Sequence, residues 1–263
     1  MATDRTPSAD DRPIVRSSAR RGFPGVSLYF YWKIFRIVNA RRRLVVAGRM
    51  TSEDVIEGGH EILRLIGRCG AGAHVTGEDV LRQTEGPVVF AANHMSTLET
   101  LVLPALIIPF KPITYVVKKA LVENTFFGPV MRWCNPITVT RTNPRRDLQD
   151  VLTQGQTFLE NGTSVLLFPQ RTRDHRFDAN QFNSIGVKLA RRAGTPVVPI
   201  ALKTDFWGNG RWIKEVGPVH PERDVRVRFG PAVTVDRNQK EAQAAIVAFM
   251  ADQLSEWGVP VTR

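Results

Sequence analysis

The chain lacks any apolar run approaching the roughly 20 residues that a bilayer-spanning helix needs, which excludes a polytopic membrane protein. It is poor in cysteine. Cys69 and Cys134 stand far apart and form neither a CxxC pair nor a metal-ligand cluster, so they read as buried free thiols of a reducing compartment. The opening stretch, MATDRTPSADDRP, mixes acids, prolines and small polar residues with no apolar core behind it, and is not a secretory signal. A cytosolic chain is expected, with a disordered tail over residues 1–18. Internal repeats, low-complexity tracts and a GxSxG nucleophile elbow are also missing.

What is present is an ordinary globular composition, 43% hydrophobic and 23% charged, in 263 residues. That length suits one generous domain, or a domain with a small appendage, at about 150 residues per domain. The charge balance is the unusual feature: 36 Lys and Arg against 25 Asp and Glu leave +11. Such a surface expects an anionic partner, whether nucleic acid, anionic lipid, a phosphorylated substrate or an acidic carrier protein. No RNP-like aromatic strand, zinc-finger spacing or recognition-helix pattern supports the nucleic-acid option, so no nucleic-acid partner is expected.

Residues 19–70 differ in character from the rest. Leu28-Tyr29-Phe30-Tyr31-Trp32, Ile34-Phe35 and Ile37-Val38 are interrupted by Lys33 and Arg36 and followed by Arg41-Arg42-Arg43. The stretch is too short and too charged to span a bilayer. It suits an amphipathic helix lying at an anionic membrane surface, aromatics among the headgroups and arginines on phosphates. A helix packed on its own domain is the competing reading. Thr51 to Arg68 reads as a second helix, with Val55, Ile62, Leu65 and Ile66 at helical spacing and Gly58-Gly59 weakening its centre.

Residues 71–263 alternate short β-branched runs with helical patterns. Strands are expected at Val88–Ala92, Ile113–Val117, Ile137–Thr140, Ser164–Phe168, Val197–Leu202 and Val225–Phe229. Three apolar stripes mark intervening helices: Leu148, Val151, Leu152 and Leu159; Phe182, Ile185, Leu189, Ala190 and Ala193; and Ile246, Phe249, Met250, Leu254 and Trp257. This alternation predicts a layered α/β domain with a partly parallel sheet flanked by helices. In such sheets ligands gather beyond the carboxyl ends of strands.

Directly after an apolar strand comes Ala91-Ala92-Asn93-His94-Met95-Ser96-Thr97-Leu98-Glu99. A histidine there, with a carboxylate five residues on, can be a general base and its orienting partner. On one continuous helix the two side chains would point about 140° apart. The pairing therefore needs His94 on the turn and Glu99 in the first turn of the next helix. Ser96-Thr97-Leu98-Glu99 is equally a capping box, in which Glu99 reaches back to the Ser96 amide.

Asn93-His94-x4-Glu99 resembles the NHx4D block of the glycerolipid acyltransferases typified by lysophosphatidic acid acyltransferases. Three further segments resemble that family's blocks, in order: Ile137-Thr138-Val139-Thr140-Arg141, a strand ending in an arginine; Phe168-Pro169-Gln170-Arg171-Thr172-Arg173, similar to FPEGTR; and Val197-Val198-Pro199-Ile200-Ala201-Leu202. Together they span about Ala73 to Phe229.

The resemblance implies an α/β acyltransferase domain preceded by a helical membrane-docking element. It implies acyl transfer from an acyl carrier protein or coenzyme A thioester to the free hydroxyl of lysophosphatidic acid, giving phosphatidic acid, with no metal and no further cofactor. His94 and Glu99 are then the catalytic residues. Asn93, Arg141, Gln170, Arg171, Thr172 and Arg173 are the substrate-binding ones, the arginines as forks for phosphate oxygens. Outside that pattern the arginines read as solvated loop residues. The partners implied are an anionic membrane surface, the thioester carrier and the lysophospholipid, with the protein peripheral on the inner face of the cell membrane.

Three positions depart from the family pattern. Glu99 stands in place of aspartate, one methylene longer. Gln170 and Arg171 stand in place of glutamate and glycine, making the third block more positive. Another lyso-, amino- or glycolipid acceptor therefore stays open, as does a catalytically silent lipid-binding relative.

Overall fold

The computed structural model describes residues 14–15, 22–170, 172–211 and 214–263. Of the expected tail only Ile14 and Val15 fall among them, and Val15 exchanges main-chain hydrogen bonds with Ala73 (3.3 and 3.0 Å). The rest of that expectation, and Arg171, lie outside the described residues.

The chain begins with two long helices, α1 (Val26–Val46) and α2 (Ser52–Cys69), and then enters the sheet with β1 (Ala73–Thr76). After α3 (Asp79–Gln83) come β2 (Val89–Ala92) and α4 (Leu98–Ile107). The next unit is β3 (Ile113–Lys118), α5 (Lys119–Glu123), α6 (Gly128–Trp133) and β4 (Ile137–Val139). Helix α7 (Pro144–Glu160) leads to β5 (Ser164–Leu167), the two-residue β6 (Phe177–Asp178) and α8 (Ile185–Ala193). Strands β7 (Val197–Lys203) and β8 (Val225–Phe229), α9 (Gln239–Glu256) and β9 (Val261–Thr262) complete it.

All six expected strands are present, each within a residue of its expected ends. Two end early for a local reason. The Thr140 amide donates to the Asp147 carboxylate (2.8 Å) instead of a ladder carbonyl, and Phe168 precedes Pro169, which has no N–H to pair. Strands β1, β6 and β9 and the short helices α3, α5 and α6 have no counterpart among the expected elements. Phe182 precedes α8 rather than belonging to it.

The main sheet runs β1-β8-β7-β2-β5-β3-β4. Strands β7, β2, β5, β3 and β4 are mutually parallel, whereas β8 runs against β7. Five carboxyl ends thus open on one edge. Both faces are covered, so the central strands are apolar on both sides. Phe90, Leu166, Val198 and Ile200 face a cluster with Phe30, Ile34 and Val38 of α1, Ile62 and Ile66 of α2 and Leu103 of α4. Val89, Ala91, Val165 and Leu167 face the opposite cluster, with Val151 of α7, Leu189 of α8 and Met250 of α9.

The glycine pair that weakens the centre of α2 has a packing reason. A Cβ on Gly59 would sit 2.3 Å from the Ala105 Cβ, so glycine is what lets α2 lie flush on α4. Thr51 and Asp54 close a reciprocal capping box at the start of α2. Helix α1 packs on its own domain through Phe30, Ile34 and Val38 while Leu28 (77% exposed), Trp32 (49%) and Phe35 (54%) point outward. No helix among the described residues is long and apolar enough to cross a membrane.

Candidate active site

The turn after β2 is built by side chains substituting for strand pairing. The Asn93 amide donates from Nδ2 to the Leu202 carbonyl (2.8 Å) and accepts at Oδ1 from the Leu202 N–H (2.7 Å). It thereby bolts the end of β2 to β7. Asn93, expected to bind substrate, is 2% exposed, and both its polar atoms are engaged in this bridge.

His94 is clamped by its main chain on both sides. Its N–H donates to Gln170 Oε1 (2.7 Å), and its carbonyl accepts from the Asp174 N–H (2.9 Å). Gln170 is 7% exposed and its oxygen faces this peptide, so it too holds the turn rather than reaching toward a substrate. The imidazole lies against the Phe168 ring, centroids 4.3 Å apart. Its Nδ1 is hydrogen-bonded to Glu99 Oε2. Nε2 makes no hydrogen bond among the described residues, and the side chain is 15% exposed.

Glu99 sits in the first turn of α4, 1% exposed. Its Oε1 accepts from the Met95 N–H (2.7 Å), the Ser96 N–H (2.9 Å) and the Thr204 hydroxyl (2.6 Å). One oxygen of this carboxylate takes the Ser96 amide, which is half of the expected capping box, and the other meets His94. The Ser96 hydroxyl takes the Leu98 N–H instead of closing the box, and Thr97 is the residue that precedes the helix. An ionised carboxylate only accepts, so Nδ1 carries the ring proton and Nε2 offers a lone pair at the sheet edge.

The arginines are less uniform. Arg173 donates to Thr97 Oγ1 (2.7 Å) and to Glu215 Oε1 (2.5 Å), beside the start of α4. It lies next to the His94 turn but is already engaged by a carboxylate. Burial pushes the Glu215 carboxyl up, yet the Arg173 bond and the charges of Arg173 and Lys214 win, leaving it below its usual value. Thr172 is exposed and accepts from Lys214 Nζ (2.8 Å).

Arg141 follows β4 in the left-handed region (φ 62°), where non-glycine residues seldom sit without a reason. The Asp147 carboxylate takes its N–H at 2.7 Å. Arg141 is exposed and stands three strands from His94 on the same edge, a separation of roughly 14 Å at about 4.8 Å per strand.

Four contributors were not legible as site residues: Thr204, Phe168 as the ring's support, Glu215 and Asn209, whose amide donates to the Met95 carbonyl (2.9 Å). The strand-end rule points at Thr204, one residue past β7. Nothing in the sequence singles out Glu215. Its loop is pinned to α1, because the Tyr31 hydroxyl donates to the Gly217 carbonyl (2.6 Å) and accepts from Trp207 Nε1 (2.8 Å). Among the described residues no three His, Cys, Asp or Glu side chains cluster as a metal site.

A family model described as Acyltransferase matches residues 72–203, half of the chain, and contains His94, Glu99, Arg141 and Arg173. A 1-acyl-sn-glycerol-3-phosphate acyltransferase of Pseudomonas aeruginosa is 32% identical over 163 residues, 62% of this chain and 60% of that protein. A probable 1-acyl-sn-glycerol-3-phosphate acyltransferase of Mycoplasma pneumoniae is 28% identical over 166 residues, 59% of this chain and 60% of that protein. The chain thus spans about 60% of the length of these curated relatives. The crystal structure of the 1-acyl-sn-glycerophosphate (LPA) acyltransferase PlsC from Thermotoga maritima shares the fold, with a TM-score of 0.65, 90% of this chain and 97% of that chain covered, and 18% identity.

Proposed function

Because the chain belongs to the acyltransferase family, we propose that it moves a fatty acyl chain from a thioester of acyl carrier protein or coenzyme A to the free hydroxyl of lysophosphatidic acid, giving phosphatidic acid. The observation that carries this reading is the His94–Glu99 pair, with Nε2 free at the carboxyl edge of the sheet. A thioester is already activated. What the protein must do is take the proton from an alcohol and return one to the departing sulfur.

Nε2 of His94 takes the hydroxyl proton as the alcohol oxygen attacks the thioester carbonyl. The tetrahedral intermediate collapses, the C–S bond breaks, and the imidazolium gives its proton to the thiolate. A placed general base of this kind is worth about 10²–10⁴-fold. Glu99 holds the ring in the required tautomer and stabilises its charged form. No serine nucleophile enters, and the alcohol attacks directly.

For the acceptor phosphate, exposed Arg141 supplies a guanidinium fork on the same edge, within the span of an arginine side chain plus a glycerol phosphate. Arg173 serves in turn when the phosphate displaces Glu215. A second reading, transfer to another lyso-, amino- or glycolipid, is favoured by that same Glu215 carboxylate, which offers an acidic group where a cationic headgroup can dock.

The outer face of α1 supports peripheral binding at an anionic membrane surface on its cytoplasmic side. Lys33 and Arg36 lie over the Trp32 ring at 4.8 and 5.1 Å, and Phe35 stacks on Phe126 at 5.0 Å. Exposed aromatics flanked by cations are what such a surface takes.

A panel of lyso-lipid acceptors offered with both kinds of thioester tests the reaction. Lysophosphatidic acid is expected to turn over fastest, and His94→Ala to lower that rate at least about 100-fold. Equal rates for wild type and His94→Ala would refute the base. Trp32→Ser with Phe35→Ser is expected to weaken pelleting with anionic liposomes, and unchanged pelleting would defeat the docking reading.

A further inference from the structure

Glu99 has more donors than a partner of His94 needs, and one comes from a distant strand. Thr204, 2% exposed, follows β7 directly. Its hydroxyl reaches Glu99 Oε1 (2.6 Å) and also meets the Ser96 hydroxyl (3.0 Å), whose oxygen accepts from the Leu98 N–H (3.2 Å). The direction of every proton is forced. An ionised carboxylate only accepts, so the Thr204 proton goes to Glu99. The Thr204 oxygen must then take the Ser96 proton, and the Ser96 oxygen the Leu98 N–H. A one-way chain results, Leu98 to Ser96 to Thr204 to Glu99, in which each bond polarises the next.

The consequence falls on the other carboxylate oxygen. With three donors on Oε1, the carboxylate cannot rotate without breaking three buried bonds, and Oε2 is left for His94 Nδ1. The strand delivering Thr204 is registered by the neighbouring Asn93–Leu202 bonds. The hydroxyl therefore arrives with the same rigidity as the turn it supports.

We propose that Thr204 is a positioning residue for acyl transfer, its hydroxyl locking the Glu99 carboxylate that orients the His94 imidazole. This rests on His94 acting as the base. Hydrogen bonds to charged groups are worth about 1.5–3 kcal/mol, roughly 10- to 100-fold if spent wholly on the reacting geometry.

The test compares Thr204→Val, which keeps shape and removes the donor, with Thr204→Ser, which keeps the donor. Thr204→Val is expected to lower kcat about tenfold while both KM values stay within about twofold, and Thr204→Ser to stay within about threefold of wild type. In a Glu99→Gln background Thr204→Val should add less than about twofold, because the group it acts through is already lost. A wild-type kcat in Thr204→Val overturns the proposal, and so does a loss that adds in full to Glu99→Gln. If Thr204→Val does not fold, Ser96→Ala carries the test, with a fall of about two- to fivefold expected and a wild-type kcat overturning the chain. The two ideas fail separately. An active His94→Ala refutes the base itself, whereas an inactive His94→Ala beside an unimpaired Thr204→Val refutes the positioning role alone.

Discussion

Two strand ends on the parallel edge, those of β2 and β4, are built differently. At the end of β2, His94, Glu99, Asn93, Ser96 and Thr204 are buried or nearly so, and almost every polar atom has a fixed partner. At the end of β4, Arg141 is exposed, carried on a left-handed residue and anchored by its own main chain to Asp147. Burial lowers the Asp147 carboxyl's preference for charge, but the Thr140 and Arg141 amides and the Arg141 charge outweigh it and hold that carboxyl below its usual value. On the proposed reading, the contrast separates two tasks. Proton transfer needs geometry held before the substrate arrives, which takes burial and saturation of hydrogen bonds. Anion capture needs a reachable charge, which tolerates solvent and some motion.

Breaking the buried end is expected to have the largest effect. In Glu99→Gln the three donors keep the amide oxygen on their side, so the Nε2H₂ group faces His94 Nδ1 and donates to it. The ring proton is then driven to His94 Nε2, where a base needs a lone pair. The corresponding amide substitution in the Ser-His-Asp template costs about 10⁴, and a loss of kcat of about 10³–10⁴-fold is expected here, with the fold retained by circular dichroism. A near-normal kcat would show that Glu99 only caps α4.

Disturbing the exposed end is expected to act on binding instead. Arg141→Ala should raise the acceptor KM about tenfold or more and change kcat by less than about threefold, as a bond to a charged group is worth about 1.5–3 kcal/mol. An acceptor KM unmoved by that substitution would leave the phosphate to other groups. The smallest effect belongs to Glu215, which pairs with Arg173 beside the His94 turn. A partly exposed ion pair is worth about 1 kcal/mol or less, so Glu215→Gln should lower the KM for lysophosphatidic acid by at most about fivefold. A rise in the KM for a lyso-lipid with a cationic headgroup in the same variant would favour the amino-lipid reading instead.

The same contrast governs what could be read from the chain. The strands were legible because β-branched runs bounded by turns have few alternatives, and the pairing of His94 with Glu99 because both lie within one turn and one helix start. Cys69 is buried and Cys134 half-buried, and burial pushes both thiols up to about 11, in keeping with inert thiols. Asn93 and Gln170, expected to bind substrate, hold the turn in this structure, a role the motif could not reveal, since a polar side chain there looks the same whether it faces a ligand or a strand 109 residues away. The pairing of Arg173 with Glu215 was not legible, because Glu215 lies 42 residues on in a loop without a pattern.

Local order in the amino acids was enough to determine the α/β layering, the amphipathic first helix and the turn that carries the imidazole, because periodicity and short-range hydrogen bonding act within a few residues. Tertiary structure alone decided which oxygen of Glu99 faces His94, which side chains fasten strands and that Arg173 is held by Glu215. Those outcomes depend on strands β2, β5 and β7 lying side by side, and hydrogen bonds between segments 42 to 109 residues apart exist only once the sheet has set their register.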